Sequence, residues 1–87
     1  MATYRKKTFE VEAVQLRYEN WEVVAHFAPE HFERREDGWE QTYFTLHEES
    51  AESKVDVNDG DWVVRTEFGY KRMTDDFFQA NFEEVDA

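Results

Sequence analysis

Three basic side chains, Arg65, Lys71 and Arg72, stand close together in a chain with 21 acidic side chains and only 10 basic ones. Residues 62–66 are β-branched or aromatic, Glu67-Phe68-Gly69 reverses the chain, and residues 70–73 return, so the three cations fall on the two arms of one hairpin. If Glu67-Phe68-Gly69 is a three-residue loop, Arg65 faces Lys71 across the ladder, where like charges repel. Two readings are open. Each cation is answered by a neighbouring carboxylate, or phosphate oxygens of a ligand satisfy two or three of them together. Tyr4, Trp62, Phe68 and Tyr70 are aromatic neighbours on which a base could stack, with Trp62 equally at home in a core.

Other chemistry finds little footing. The chain has no cysteine, hence no thiol nucleophile, disulfide or zinc-thiolate site. Ser50 and Ser53 lie in a polar loop without the context of a nucleophile elbow. His26, His31 and His47 match no ligand spacing, and a chain this acidic generates carboxylate pairs such as Glu10/Glu12, Asp59/Asp61 and Asp75/Asp76 by chance. There is no glycine-rich phosphate loop. A non-enzymatic protein without a cofactor is expected.

The elements that must position these residues belong to one domain of 87 residues, 1–87. A chain this short buries only about 60–65% of the surface it exposes when unfolded. Eight Phe, four Tyr and three Trp compensate, each able to bury roughly 150–250 Å². The net charge of −11 repels nucleic-acid backbones and anionic membranes. It is open to three readings: a solvated surface, adaptation to high salt, or mimicry of DNA by carboxylates. No apolar run approaches the 18 or so residues of a membrane span, and the basic N-terminus has no hydrophobic stretch behind it, so no signal peptide is expected.

Residues 8–16 alternate, with Phe9, Val11 and Ala13 on one face and Glu10 and Glu12 on the other. Val14 and Leu16 then fall on the polar face, which predicts a strand end covered on both sides. Asn20 is the expected N-cap of a helix over 21–28, stopped by Pro29. Asp37-Gly38 joins two hairpin arms, 31–36 and 39–47, and 48–53 is a polar loop. Asn58-Asp59-Gly60-Asp61 is a turn. Thr74 caps a closing helix with Asp75 and Asp76 in its first turn and Phe77, Phe78 and Phe82 at helical spacing. The expected class is α+β, a small curved, mostly antiparallel sheet of about six strands with two short helices.

The two ends together resemble a widespread family of small phage proteins. Its members open with a Tyr-Arg-Lys-Lys-Pro-type run into a strand ending Glu-Ala-Val-Gln, and here Tyr4-Arg5-Lys6-Lys7-Thr8 leads into Glu12-Ala13-Val14-Gln15. They close with Pro-Gly-Asp, an aromatic, two β-branched residues and a basic one, then a glycine turn and a helix. Here Asp59-Gly60-Asp61-Trp62-Val63-Val64-Arg65 precedes Gly69 and the stretch Asp76-Phe77-Phe78-Gln79-Ala80-Asn81-Phe82-Glu83. The usual prolines are replaced by Thr8 and Asp59, and the segment after Gly69 departs from the family's pattern.

The resemblance implies a counter-defence protein in the cytoplasm of an infected cell, similar to the anti-CBASS sponges, which hold a cyclic di- or trinucleotide signal without cutting it. It implies phosphate contacts from Arg65, Lys71 and Arg72, help from Arg5 and Lys6, and stacking by Tyr4, Tyr70 or Phe68. Sites shared between protomers are usual in such proteins, and a homo-oligomer joined through the hairpin of residues 62–73 is expected. Two alternatives stand beside it. One is an acidic inhibitor that imitates DNA through carboxylates such as Glu48, Glu49, Glu52, Asp75, Asp76, Glu83 and Glu84. The other is a virion accessory protein without a small ligand.

Overall fold

The computed structural model describes residues 2–6, 9–39, 41–48 and 54–85, and for residues 2, 4–6 and 9 the backbone alone. Eight strands and two helices follow in the order β1 (Ala2–Lys6), β2 (Phe9–Gln15), α1 (Trp21–Phe27), β3 (Phe32–Glu36), β4 (Thr42–His47), β5 (Lys54–Val57), β6 (Trp62–Thr66), β7 (Gly69–Met73), α2 (Asp75–Asn81) and β8 (Glu83–Glu84). The α+β class is as expected, but the strands divide between two antiparallel sheets. One has the order β7-β6-β2-β1-β8 and the other β3-β4-β5. The basic run at the start is itself a strand, paired with β2 from Ala2↔Ala13 to Lys6↔Phe9. Its charges hid it from a reading based on apolar alternation.

The five-stranded sheet is covered on both faces. Leu16 and Val63 on one face join α1 and the inner side of the small sheet through Val24, Phe27, Phe44, Leu46 and Val57. Val11, Ala13, Trp62 and Val64 on the other face meet Phe78 and Phe82. The crossing of Val14 and Leu16 to the Glu10/Glu12 side of β2 therefore has the expected cause: that face becomes buried as the strand passes under the small sheet. In the second core the rings of Trp62 and Phe78 stack at 4.0 Å, and those of Phe78 and Phe82 at 4.8 Å. The Asp37-Gly38 hairpin forms, but its second arm begins at Thr42 and not at Trp39, since Glu36 pairs with Thr42. Its Asp37 Oδ1 accepts the Trp39 and Gln41 amides, leaving Trp39 at the tip and 85% exposed.

The helix ends differ in how they are made. Thr74 Oγ1 accepts the Phe77 amide, the cap expected of it. Asn20 does not cap α1 with its side chain, because a 3₁₀ turn over Tyr18–Asn20 runs directly into the helix and occupies that position. Phe77, placed with the apolar residues of α2 by its spacing, is half exposed, while Phe78 faces the sheet. Residues 49–53, most of the polar loop, lie outside the described residues.

At the start of α2 the Asp75 carboxylate accepts the Trp62 indole N–H at 2.9 Å and the Gln79 amide at 3.3 Å. These bonds, Trp62 first, hold its carboxyl below the ordinary range. A lowered folded-state value means the contribution is fully present above the unfolded-state pKa and is lost as pH falls through the folded one. Acid unfolding followed by tryptophan fluorescence should therefore be shallower in Asp75→Asn than in the parent below about pH 4. Phe78→Ala removes the middle ring of the aromatic stack and should cost about 3–5 kcal/mol in urea unfolding.

Candidate functional site

The hairpin that carries the three cations turns in two residues, not three. Thr66 pairs with Gly69, the Thr66 hydroxyl donates to the Gly69 carbonyl and accepts the Phe68 amide, and Gly69 takes φ +115°. Arg65 consequently faces Tyr70, and Lys71 faces Val64, which corrects the expected Arg65–Lys71 pair. Because side chains alternate along a strand, Arg65, Tyr70 and Arg72 lie on the α1 side of the sheet and Lys71 on the α2 side. The cation cluster expected from the sequence does not form as one group.

Each remaining residue can be placed in turn. Arg72 is a structural lock. Its Nε donates to Asp61 Oδ2 at 2.8 Å, an oxygen that also accepts the Asn58 amide, and its own backbone N–H donates to Glu48 Oε2. The buried Asp61 thus ties the 58–61 turn, with Gly60 at φ +93°, to the edge strand β7. Tyr70 is not open to a base: its hydroxyl donates to the Phe27 carbonyl at 3.1 Å, and its ring packs on His31 and the edge of Phe27. Lys71 is exposed, and among the Lys and Arg whose side chains are described it is the one without an ion pair. Trp62 belongs to the core. The side chains of Tyr4, Arg5 and Lys6 lie outside the described residues.

Arg65 and Phe68 remain, and they line one cleft. Arg65 lies with its guanidinium carbon 4.6 Å from the centre of the Phe27 ring and one Nη donating to Glu12 Oε1 at 3.1 Å. Its side chain is 36% exposed. On one side opens a cleft of about 760 Å³ lined by Glu10, Glu12, Arg65, Thr66, Glu67 and Phe68, the last 69% exposed. On the other opens a cleft of about 650 Å³ against α1, lined by Glu22, Val23, His26, Phe27 and Arg65. Both volumes fall in the range of small-molecule sites. Sequence reasoning missed Glu12, Phe27 and His26. Only the β2–β6 register, Glu12↔Arg65, and the docking of α1 bring them to the cation.

The histidines do not converge on a metal. The rings of His31 and His47 stand 6.4 Å apart while His26 lies in the second cleft, and among the described residues no group of three or more His, Cys, Asp or Glu is placed to hold an ion. No helix of the described residues is long and apolar enough to cross a membrane. No family model matches the chain, and neither a curated protein nor a solved structure matches it.

Arg72→Ala would leave the buried Asp61 carboxylate without its charged donor. A loss of about 1–3 kcal/mol in chemical denaturation is expected, with no change in any ligand affinity.

Proposed function

We propose that the protein is a non-catalytic viral counter-defence protein that binds and sequesters a cyclic di- or trinucleotide. The observation that carries this reading is the setting of Arg65. A part-exposed guanidinium, held over the Phe27 ring, opens onto two clefts, and an exposed phenyl, Phe68, stands on the rim of one of them. A phosphate would take the guanidinium in place of Glu12, and a base would stack on Phe68 or lie against Val23 and Phe27. The resemblance of the chain's two ends to small phage proteins supports the choice of ligand.

The site also calls for a second protomer. Among the described side chains, one Arg65 stands against Glu10, Glu12 and Glu67 in the first cleft. A two-fold pairing through the β6–β7 hairpin would add another Arg65, an arrangement that an anion stabilises and an empty cleft does not.

A second reading is favoured by those same carboxylates. An acidic cleft beside an exposed phenyl suits a basic protein partner, so that the chain would act as an acidic protein-binding inhibitor.

Calorimetry against a panel of cyclic di- and trinucleotides, in low and high salt, separates the two. Under the sequestering reading Arg65→Glu abolishes binding, and the ligand is recovered intact. Glu12→Gln removes the internal competitor and tightens binding about two- to fivefold, the equivalent of an exposed ion pair. Absence of binding to every member of the panel at tens of micromolar protein sinks the reading, and so does weaker binding by Glu12→Gln. Light scattering should show a dimer or larger species with ligand present. A monomer under all conditions defeats the shared site.

A further inference from the structure

The two long strands β1 and β2 outrun the hairpin beside them. The β2–β6 ladder begins at Gln15↔Trp62 and ends at Glu12↔Arg65, because β6 stops at Thr66 and turns. The other side of β2 stays paired with β1 as far as Lys6↔Phe9. The direction of the backbone groups follows from bonds at either end of this region. The Leu16 N–H donates to Asp61 O on the β6 side, and Thr3 O accepts from Val85 on the β8 side. By the alternation of an antiparallel ladder, Glu12 and Glu10 therefore both turn their N–H and C=O toward the β6 lane. Glu12 meets Arg65 there. Among the described residues Glu10 meets no strand, and its lane is the first cleft.

We infer that this notch receives an extended, basic segment of a partner protein, added to β2 as a short strand in line with β6. The inference rests on the protein-binding reading above. Three features of the notch select the occupant. The open N–H and C=O of Glu10 supply the pair of hydrogen bonds by which a strand adds to a sheet edge. Among the described side chains, Glu10, Glu12 and Glu67 surround that backbone with negative charge that Arg65 only partly answers, so lysine or arginine side chains complement it. Phe68, 69% exposed on the rim, offers an apolar surface for an aliphatic stem or a cation over its ring. Without a bridging anion the same charges disfavour a second copy of this chain, whose net charge is −11.

The probe is a dye-labelled octapeptide of alternating lysine and valine, titrated into the full chain by fluorescence anisotropy and followed by amide NMR. The expected result is saturable binding with the largest amide shifts at Glu10, Val11, Glu12 and Thr66 to Phe68. A copy of the peptide methylated on every backbone nitrogen keeps the charge and the carbonyls but loses the donor to the Glu10 carbonyl, and should bind roughly threefold to tenfold more weakly, as one lost hydrogen bond requires. Glu10→Gln and Glu67→Gln should each weaken binding severalfold, while Asp56→Asn, exposed on the small sheet, should not. Binding that is indifferent to methylation, or shifts spread over the acidic surface, overturns the notch and leaves the protein-binding reading standing. Absence of any binding overturns both.

Discussion

The constraint on which the rest depends is that β6 is buried on both faces. Val63 and Val64 are neighbours in sequence and are both fully enclosed, one in each core. A strand in that position cannot alternate apolar and polar residues, and Trp62-Val63-Val64 does not. It must be flanked by partners on either edge and roofed on either side. The fold supplies β2 and β7 at the edges, the small sheet with α1 above, and α2 below. Two thin cores built around one strand are how so short a chain encloses Phe27, Phe32, Phe44, Trp62, Phe78 and Phe82. The loss of any ring in the Trp62, Phe78 and Phe82 stack consequently reaches the centre of the molecule rather than its margin.

Against this frame the acidic composition has a local consequence. With carboxylates in excess, a basic side chain finds an internal partner before it meets a ligand: Arg17 with Asp59, Arg34 with Glu36, Lys54 with Glu33, Arg65 with Glu12, Arg72 with Asp61. These pairs are not equivalent. Asp61 is buried, so removing Arg72 strands a charge away from water, whereas Glu12 and Arg65 are both part-exposed, and water or a ligand can replace either partner. Burial of the carboxylate decides which arginine is structural and which is available. The sequence shows only that both are arginines.

Local order was legible because it rests on local chemistry. Gly60 at positive φ, Asp37 accepting two amides of its own turn, and Thr74 capping α2 are each determined by residues within four positions. The shift of Val14 and Leu16 onto the face of Glu10 and Glu12 also announced burial on both sides. What failed depended on a count of one residue or on distant docking. A two-residue turn in place of three moved Lys71 to the opposite face from Arg65, since the side-chain period of a strand is 2. β1 was obscured because its charged residues carry no apolar alternation. Phe27 and Glu12 reach Arg65 from elements far away in the chain, and no spacing in the sequence encodes that meeting.

The features of the candidate site gather where burial ends. Along β6 the side chains run from fully enclosed at Val63 and Val64 to part-exposed at Arg65 and Thr66, and the turn beyond is open. Arg65 is thus the first residue past the cores. It is rigid enough to be held by Phe27 and Glu12 and exposed enough to be contacted. The strand beside it continues past the turn, so the end of the hairpin uncovers a guanidinium and, among the described residues, the unpaired backbone of Glu10 at one place. The groups that line the candidate site follow from a mismatch in strand length. A longer hairpin would pair Glu10 with β6, fill the notch and carry Phe68 beyond reach of Arg65. The short turn set by Thr66 and Gly69 is therefore as much a part of the site as the residues that line it.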